Sequence, residues 1–426
     1  MDRWRHVAAV GTAALLAGVA ACSSGGPSTT SSPTSFEGKT LTVWLMAGDD
    51  PVDWSAAVKA QFELTYPGAK VVFKQQDWTG IQQKVTAALA DLTPPDVIDI
   101  GNTQTSYYVA TGGLLDLDPY RGRLGGANWT PSMNSSAIVG GKQYAAPWFA
   151  GSRVVMYNKR LWDRAKLSPP STMAEWQSDL DVLKNTPGVS SALYLPGQNW
   201  YAFDGFLLDA GANILTQRNN QWVGNLDAPA ALQAAALFKK LQSYGDAPKD
   251  KDESHPAQAT VFAKGDVASM IAMGYEQAAV LQANPAMAKD IGWFPIPGAK
   301  PKSPARTFLG GSNLAVSQNS ANRELALGFL QIALNDANET AFAKESGFLP
   351  NKAALYPALA GNAYAAAAQL AAANAGFTPS VARWGNVENP PNPIVSLFLT
   401  PILQGADPAA AAQAADDKLT SRLNEQ

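Results

Sequence analysis

Short apolar runs and helical apolar repeats alternate along the first hundred residues of the folded part. Residues 41–45, 71–73 and 97–100 are apolar runs with β-branched members, which predicts three strands. The segments between them carry apolar residues three or four positions apart, as in helices that bury one face. These repeats are Trp54, Val58, Phe62 and Tyr66, which stop at Pro67-Gly68, and Ile81, Val85, Leu89 and Leu92. The alternation predicts an α/β fold with a parallel sheet covered by helices on both faces.

Open sheets of this kind bind ligands beyond the carboxyl ends of their strands, which makes the loops 46–50 and 101–105 candidate positions for a site. The rest of the chain continues the mixture of strands and helices, and its last hundred residues are rich in alanine, a strong helix former. Strands are predicted at 154–157, 267–272 and 314–316, and helices at 172–184, 228–243, 321–335, 358–375 and 408–423.

The N-terminal segment carries the marks of secretion. Arg3 and Arg5 precede an apolar stretch, residues 7–20, which has the length of a signal peptide and is short for a membrane span of about 20 residues. The single cysteine, Cys22, follows Val19-Ala20-Ala21 in a pattern that resembles the bacterial lipobox, in which the cysteine is lipidated and becomes residue one. The alternative is an ordinary signal peptide with a chance cysteine. We assign residues 1–21 to the signal and 22–36 to an uncharged Ser/Thr/Pro/Gly tether.

Composition excludes several kinds of chemistry. His6 leaves with the signal, so the mature chain keeps His255 alone, in a polar stretch where we expect a solvated loop side chain. A Cys/His zinc cluster is therefore impossible, and we expect no metal and no cofactor. Signal removal takes two Arg and one Asp from 32 basic and 35 acidic residues and leaves a net charge of −4. Such a balance does not favour nucleic acid as a partner.

Aromatic side chains occur beside amides and carboxylates in predicted loops. A sugar ring has an apolar C–H face and a rim of hydroxyls, so its site pairs aromatic planes with polar groups. Core packing is the alternative for any single tryptophan. The four clusters are Trp148-Phe149, Gln198-Asn199-Trp200-Tyr201, Tyr275-Glu276, and Trp384 with Asn386 and Glu388.

From about Lys39 to the C-terminus the chain resembles the extracellular solute-binding proteins of carbohydrate ABC transporters. The resemblance rests on the order and spacing of several segments over the whole chain. These segments are Leu41-Thr-Val-Trp-Leu, Thr93-Pro-Pro-Asp-Val-Ile-Asp with Gly113-Leu-Leu-Asp-Leu, Gly141-Lys-Gln-Tyr-Ala-Ala-Pro-Trp148, Tyr157-Asn-Lys-Arg-Leu161, Phe262-Ala-Lys-Gly-Asp-Val-Ala-Ser-Met270, Phe308-Leu-Gly-Gly-Ser-Asn-Leu-Ala-Val316 and Phe348-Leu-Pro-Asn-Lys352.

The resemblance implies two α/β lobes joined by hinge crossovers, a periplasmic-binding-protein-like fold with a ligand cleft between the lobes. The first lobe would comprise residues 37–147 and 310–357, and the second 148–309 and 358–426. It further implies a non-enzymatic, monomeric receptor, lipid-anchored on the extracytoplasmic face of the cell membrane, that delivers a sugar to an ABC permease. The ligand-binding residues carried over are Met46, Asp49, Asn102, Gln104, Trp148, Arg153, Gln198, Trp200, Tyr275, Ser312 and Trp384.

Two departures from maltose-binding relatives change the expected ligand. Carboxylates that these relatives often carry are replaced by Asn102-Thr103-Gln104 and by Ala150-Gly151-Ser152-Arg153, so maltose is doubtful. The amide-rich segment 195–201 looks more like the amino-sugar and chitobiose-binding relatives of actinobacteria. A glycerophosphodiester or another polyol is an alternative ligand, with Arg153 as its phosphate anchor.

A glycoside hydrolase is the alternative from another class. Such an enzyme needs a pair of carboxylates about 5–5.5 or 6.5–9.5 Å apart. Asp49, Glu276 and Glu388 are the candidates for that pair.

Overall fold

A computed structural model describes residues 36–425, so the predicted signal peptide and Cys22 lie outside the described residues. The strands are β1 Thr40–Met46, β2 Lys70–Gln76, β3 Val97–Gly101, β4 Ile138–Val139, β5 Lys142–Gln143, β6 Ala146–Ser152, β7 Val154–Asn158, β8 Leu215–Arg218, β9 Gln221–Gly224, β10 Ser269–Ala272, β11 Ile291–Phe294, β12 Leu309–Val316 and β13 Leu349–Pro350. None of the helices within 36–425 is both long and apolar enough to cross a bilayer.

The α-helices are α1 Val52–Thr65, α2 Ile81–Leu89, α3 Thr105–Ala110, α4 Pro131–Ser135, α5 Lys159–Arg164, α6 Met173–Lys184, α7 Trp200–Asp209, α8 Pro229–Gln242, α9 Gln258–Phe262, α10 Tyr275–Ala283, α11 Arg323–Ala333, α12 Asp336–Ser346, α13 Ala363–Ala372, α14 Trp384–Glu388, α15 Thr400–Gln404 and α16 Pro408–Asn424. Short 3₁₀ turns occupy Asp118–Tyr120, Gly126–Asn128, Pro285–Lys289 and Ala353–Leu359, and Ile394–Leu399 is a π-helical turn.

The first lobe is built on a six-stranded sheet in the order β13-β6-β12-β3-β1-β2. β1 pairs in parallel with both β2 and β3, which confirms the parallel arrangement predicted for the first three strands. The sheet as a whole is mixed, because β12 runs antiparallel to both β3 and β6. β12 also begins five residues before the predicted start at 314, since its Gly-rich first half lacks the apolar signal of a buried strand.

Helices α1 and α2 cover this sheet as the apolar repeats predicted. Trp54, Val58 and Phe62 are the buried residues of α1. The prediction for α2 was too long, because the helix ends at Leu89 and Leu92 is 94% exposed. Pro94 and Pro95 follow closely, and the residue before a proline is disfavoured in helical geometry.

The second lobe contains a three-stranded sheet, β10-β7-β11, in which both outer strands run antiparallel to β7. Its main core joins this sheet to residues of α6, α7, α8 and α16. α6 begins with a capping box in which the Thr172 hydroxyl accepts from the Glu175 N–H and the Glu175 carboxylate accepts from the Thr172 N–H. Such a cap contributes about 1 kcal/mol to helix stability.

Two strands carry the chain between the lobes. β6 lies in the first sheet, and after the single residue Arg153 the chain continues as β7 in the second sheet. β12 enters the first sheet directly after Phe308, which itself forms a bridge with Gly376. The predicted lobe boundaries at 147/148 and 309/310 fall in β6 and β12. These crossovers place Arg153 and Phe308 at the junction.

Candidate functional site

Side chains of both lobes meet in a hydrogen-bonded group at the junction, the interlobe cluster, made of Thr103, Arg153, Tyr201, Glu253 and Glu388. Arg153 Nη2 lies 2.8 Å from Glu253 Oε1, and its guanidinium carbon stands 4.9 Å from the centre of the Tyr201 ring. The Tyr201 hydroxyl donates to Glu388 Oε1 at 3.5 Å, and the Thr103 hydroxyl donates to Glu388 Oε2 at 3.0 Å. Glu388 therefore receives donors from both lobes.

Local structure explains the positions of Tyr201 and of its neighbour Trp200. Asn199 caps α7 by accepting from the Ala202 N–H at 3.1 Å, so Trp200 and Tyr201 occupy the first turn of that helix. Their rings are 3.9 Å apart, and the Tyr201 ring stacks on Phe308 at 4.8 Å. The first turn of α7 thus presents a double aromatic surface next to the crossover strand.

Burial sets the electrostatics of the cluster. Burial raises the pKa of Glu388 above its ordinary value, although hydrogen bonds that include those from Thr103 and Tyr201 lower it. Burial, and then the charge of Glu388, raises the pKa of Tyr201 well above the usual tyrosine range. Burial alone would lower the pKa of Arg153, but the charge and hydrogen bond of Glu253 outweigh it and raise that pKa. Tyr201 and Arg153 therefore keep their protons at neutral pH.

The first-lobe residues predicted for the site lie at the end of β1, in the loops after β1 and β3, and on β12. Asn102 is tied to the crossover strand, because its Nδ2 donates to the Leu309 carbonyl at 2.8 Å. Gln104 is half-buried, and its side-chain carbonyl accepts from the Tyr108 hydroxyl at 2.8 Å. Ser312 lies on β12 with its hydroxyl 3.5 Å from Asp49 Oδ2, and Met46 is buried in the apolar core.

Two of the predicted tryptophans are fully buried. Trp148 packs in the first-lobe core with its ring centre 5.1 Å from that of Trp54 and 4.7 Å from that of Phe342. For Trp148 we therefore replace ligand contact by core packing, because side chains enclose it on all sides. Trp384 is also fully buried, but it lies at the start of α14 with its ring 6.4 Å from Trp200, behind the aromatic surface of α7.

The remaining predicted residues lie on the second lobe. Gln198 and Trp200 are half-buried, and Gln198 Nε2 donates weakly to the Thr400 hydroxyl at 3.4 Å. Tyr275, at the first position of α10, is 46% exposed with its ring centre 6.4 Å from that of Phe348 of the first lobe. Arg153 is 12% exposed and committed to Glu253.

Sequence inspection missed four residues of this region. Tyr201 was within the Gln198–Tyr201 motif but was not selected, and Thr103 lay between two selected amides. Glu253 gave no local signal, because its partner Arg153 is a hundred residues away. Trp78, in the loop after β2, is 42% exposed and lies against Gly101 at the end of β3. An exposed tryptophan directly after a strand is a signal that could have identified it.

The carboxylates considered for hydrolysis are engaged in internal bonds. Glu276 is buried, its oxygens accept from the Met273 N–H and Gln258 Nε2 at 2.8 and 2.7 Å, and burial raises its pKa to about 7. Residues 36–425 hold no group of three or more side chains suited to a metal ion. The solvated-loop expectation for His255 is confirmed, since its side chain is 73% exposed beside Asp252.

The space left at the junction is small. The space beside Arg153, Tyr201 and Phe308 does not hold even one water-sized sphere, whereas typical ligand pockets have volumes of roughly 300–1,000 Å³. A more open depression of about 380 Å³ is lined by residues such as Lys239, Asp246 and Leu403, but its lining contains no aromatic side chain and no first-lobe residue. A ligand of disaccharide size would enter the junction only after the lobes separate.

Comparison with known proteins identifies a family and a full-length relative that are similar to this chain. Residues 48–340 match the model of the family described as bacterial extracellular solute-binding protein. The chain is 44% identical over 425 residues to the diacetylchitobiose binding protein DasA of Streptomyces coelicolor, covering 99% of each chain.

Solved structures share the fold at lower identity. The GacH receptor of Streptomyces glaucescens aligns with a TM-score of 0.80 at 23% identity, covering 91% of this chain and 99% of that one. UgpB of Mycobacterium tuberculosis, solved with glycerophosphocholine, aligns with a TM-score of 0.74 at 23% identity and the same coverage. From the family match and the full-length similarity, the chain belongs to the bacterial extracellular solute-binding proteins.

Proposed function

We propose that this protein is a receptor that captures a short amino-sugar saccharide, with diacetylchitobiose as its best candidate, between its two lobes. The observation that carries the proposal is the 44% identity, over 99% of both chains, to a relative named for binding diacetylchitobiose. Similarity at that level over the whole length covers both lobes and both crossovers. The ligand-binding residues that we propose are Asp49, Asn102, Gln104, Arg153, Gln198, Trp200, Tyr275 and Ser312. Met46, Trp148 and Trp384 leave this set because each is at most 1% exposed and packs in a core.

The chemistry of the junction supports an amino sugar. Asn102, Gln104 and Gln198 offer amides that can both donate to and accept from an acetamido group. Trp200 and Tyr275 offer ring faces for the apolar side of a pyranose, and Tyr201 supports the Trp200 ring from the other side. A phosphodiester would need an available cation, and Arg153 is already paired with Glu253 at 2.8 Å. Neutral ligands therefore suit the described residues better than a glycerophosphodiester.

The transport role follows from the same proposal. We propose that the receptor delivers its ligand unchanged to an ABC permease, and that it acts as a monomer tethered through a lipid on Cys22. The tether of 22–36 would let the two lobes reach a permease in the same membrane. Delivery of intact ligand excludes a hydrolytic role for Asp49, Glu276 and Glu388.

Calorimetric titration of the lipid-free protein with diacetylchitobiose, maltose and glycerophosphocholine tests the ligand. We expect saturable binding of diacetylchitobiose, at least about tenfold weaker binding of the other two, and no cleavage product by chromatography. Thermal unfolding gives a second readout, because a ligand that binds only the native state stabilises it by about 2.7 kcal/mol at 100 times its dissociation constant.

Each other outcome identifies a different function. Preference for glycerophosphocholine would replace the sugar by a phosphodiester, and release of N-acetylglucosamine would identify a hydrolase. Binding of maltose in preference to diacetylchitobiose would contradict the amino-sugar assignment while keeping the receptor role.

A further inference from the structure

Asp99 is a carboxyl group in the middle of the first-lobe sheet. It lies on β3 between Ile98 and Ile100 and is fully buried. Its Oδ2 accepts from the Met46 N–H at 3.0 Å, at the end of β1. Its Oδ1 is buried and has no partner with hydrogen-bond geometry in the described part of the chain, although the nearby Ser312 hydroxyl lowers the pKa of Asp99. A buried carboxylate oxygen without a donor is costly, so a proton on a neighbouring group is the simplest way to satisfy it.

That neighbour is Asp49, the other carboxyl group at this place. Asp49 is 6% exposed, forms a side-chain hydrogen bond with Asp99, and has its Oδ2 3.5 Å from the Ser312 hydroxyl. Two ionised carboxylates in contact repel each other in a buried site, whereas a carboxyl and a carboxylate can share one proton. If Asp49 carries the proton, Asp99 can accept from both Asp49 and Met46.

The surroundings favour retention of this proton. Burial, and then the charge of Asp99, raises the pKa of Asp49 well above its ordinary value. Burial raises the pKa of Asp99 to about 7, against the lowering effect of its hydrogen bonds. Asp50 adds a further negative charge from the same loop, and its oxygens accept from Gln75 Nε2. Across the junction, the charge of Glu276, then burial, and to a smaller extent the charge of Asp49 raise the pKa of Tyr275, so its phenol stays neutral.

We propose that Asp49 and Asp99 share one proton at neutral pH and thereby hold the loop 46–50 against β3 and β12, which makes Asp99 a positioning residue for the cleft. The loop connects the first strand to α1 at the edge where the site lies, and Ser312 links the pair to a crossover strand. The ligand-related part of the proposal rests on the proposed function, but the shared proton does not. Loss of that proton would set two carboxylates against each other and release the loop.

The first test needs no ligand. Unfolded Asp titrates near pH 4, and the folded pair keeps protons up to about pH 7, so the folded state binds more protons in this window. Wild-type stability should therefore fall as pH rises from about 4 to about 7. For each proton that the folded state retains, the unfolding equilibrium constant should rise by up to about tenfold per pH unit. In Asp99→Asn the amide donates to an ionised Asp49 and still accepts from Met46, so this fall should weaken by about one proton. Asp49→Asn should behave likewise, and Asp77→Asn, which changes an exposed carboxyl group of the first lobe outside this pair, is the control and should keep the wild-type profile.

The second test measures diacetylchitobiose affinity between about pH 6 and about pH 9.5. Wild-type affinity should fall at least about tenfold at the alkaline end, where the shared proton is lost, and Asp99→Asn should show a flat profile. An infrared band of a buried protonated carboxyl group should be present in the wild type and reduced in Asp99→Asn.

The outcomes separate the two proposals. Unfolding profiles that coincide in wild type, Asp99→Asn and Asp49→Asn would overturn the shared proton. Profiles that differ, with equal pH dependence of affinity in wild type and Asp99→Asn, would overturn the positioning role. A wild type that binds no diacetylchitobiose at any pH would refute the proposed ligand, while the unfolding profiles would still decide the shared proton.

Discussion

Removing the hydroxyl of Thr103 should weaken closure of the cleft. Thr103 Oγ1 donates to Glu388 Oε2 at 3.0 Å and joins the loop after β3 to α14, whose Trp384 and Val387 belong to the second-lobe core. Thr103→Val keeps the side-chain shape but leaves a carboxylate oxygen without this donor. We expect weaker binding of diacetylchitobiose without loss of the fold.

The size of the effect follows from the charge on the acceptor. A hydrogen bond to a charged group contributes about 1.5–3 kcal/mol, and 1.4 kcal/mol corresponds to a factor of ten. If the empty protein is mainly open, a loss of about 2 kcal/mol in the closed state lowers affinity about 30-fold. Closure is weakened and not abolished, because the Ser106 hydroxyl still donates to the Val381 carbonyl and Gln83 Nε2 to Asn389 Oδ1, each at 2.9 Å.

The effect should also depend on pH. Burial already raises the pKa of Glu388, and Thr103→Val removes a bond that lowers it. Protonation of Glu388 relieves the unpaired charge in the closed state, so the variant should regain part of its affinity as pH is lowered. The wild type should gain less, because its carboxylate keeps the donor.

Calorimetry and solution scattering together test this reasoning. We expect saturating ligand to reduce the radius of gyration of the wild type, and the variant to need more ligand for the same reduction. Thr111→Val is the matched control, because that hydroxyl donates to the Tyr108 carbonyl inside the first lobe. A Thr103→Val protein with wild-type affinity and wild-type compaction would refute the role of this bond in closure.

Three further changes test stacking, the crossover and the anchor. Trp200→Ala should cost about 1–3 kcal/mol of binding, by analogy with aromatic stacking on bases, and wild-type affinity by calorimetry would return Trp200 to a packing role. Gly311→Ala should destabilise the fold by about 1–3 kcal/mol in denaturant titration, because φ is +141° and a Cβ would lie 2.2 Å from the Phe149 carbonyl oxygen. Gly122→Ala is the control, because a Cβ there would meet open space, and it should not destabilise the fold. Equal losses of stability in the two variants would contradict the strain at Gly311. Cys22→Ala should abolish membrane partitioning after cell fractionation, and undiminished partitioning would contradict the lipid anchor.

Local patterns in the sequence predicted the first three strands and most of the long helices of the fold. The helices predicted at 172–184, 228–243 and 408–423 agree with α6, α8 and α16 to within one residue at each end. Apolar periodicity depends only on residues within one or two helical turns, so it predicts a helix without information about the rest of the chain. The helix predicted at 358–375 was shortened to α13, because Asn362 starts a new helix by accepting from the Ala365 N–H at 3.0 Å.

The family resemblance predicted the two-lobed fold and proposed a region for the site, but only the tertiary structure shows which side chains are buried in a core and which lie at the junction. Trp148 and Trp200 both stand beside polar residues in the sequence, yet one lies in the first-lobe core and the other on α7 at the junction. The packing of the two lobes makes that distinction, and composition does not encode it.

Contacts between distant segments were beyond the sequence for the same reason. Arg153 and Glu253 are separated by 100 positions, and Thr103 and Glu388 by 285. Asp49 and Asp99 meet because the sheet places β1 beside β3, with β12 on the other side of β3. The sequence by itself determined the elements and the class of fold; strand order and lobe packing decided which polar groups are buried together and which of them share a proton.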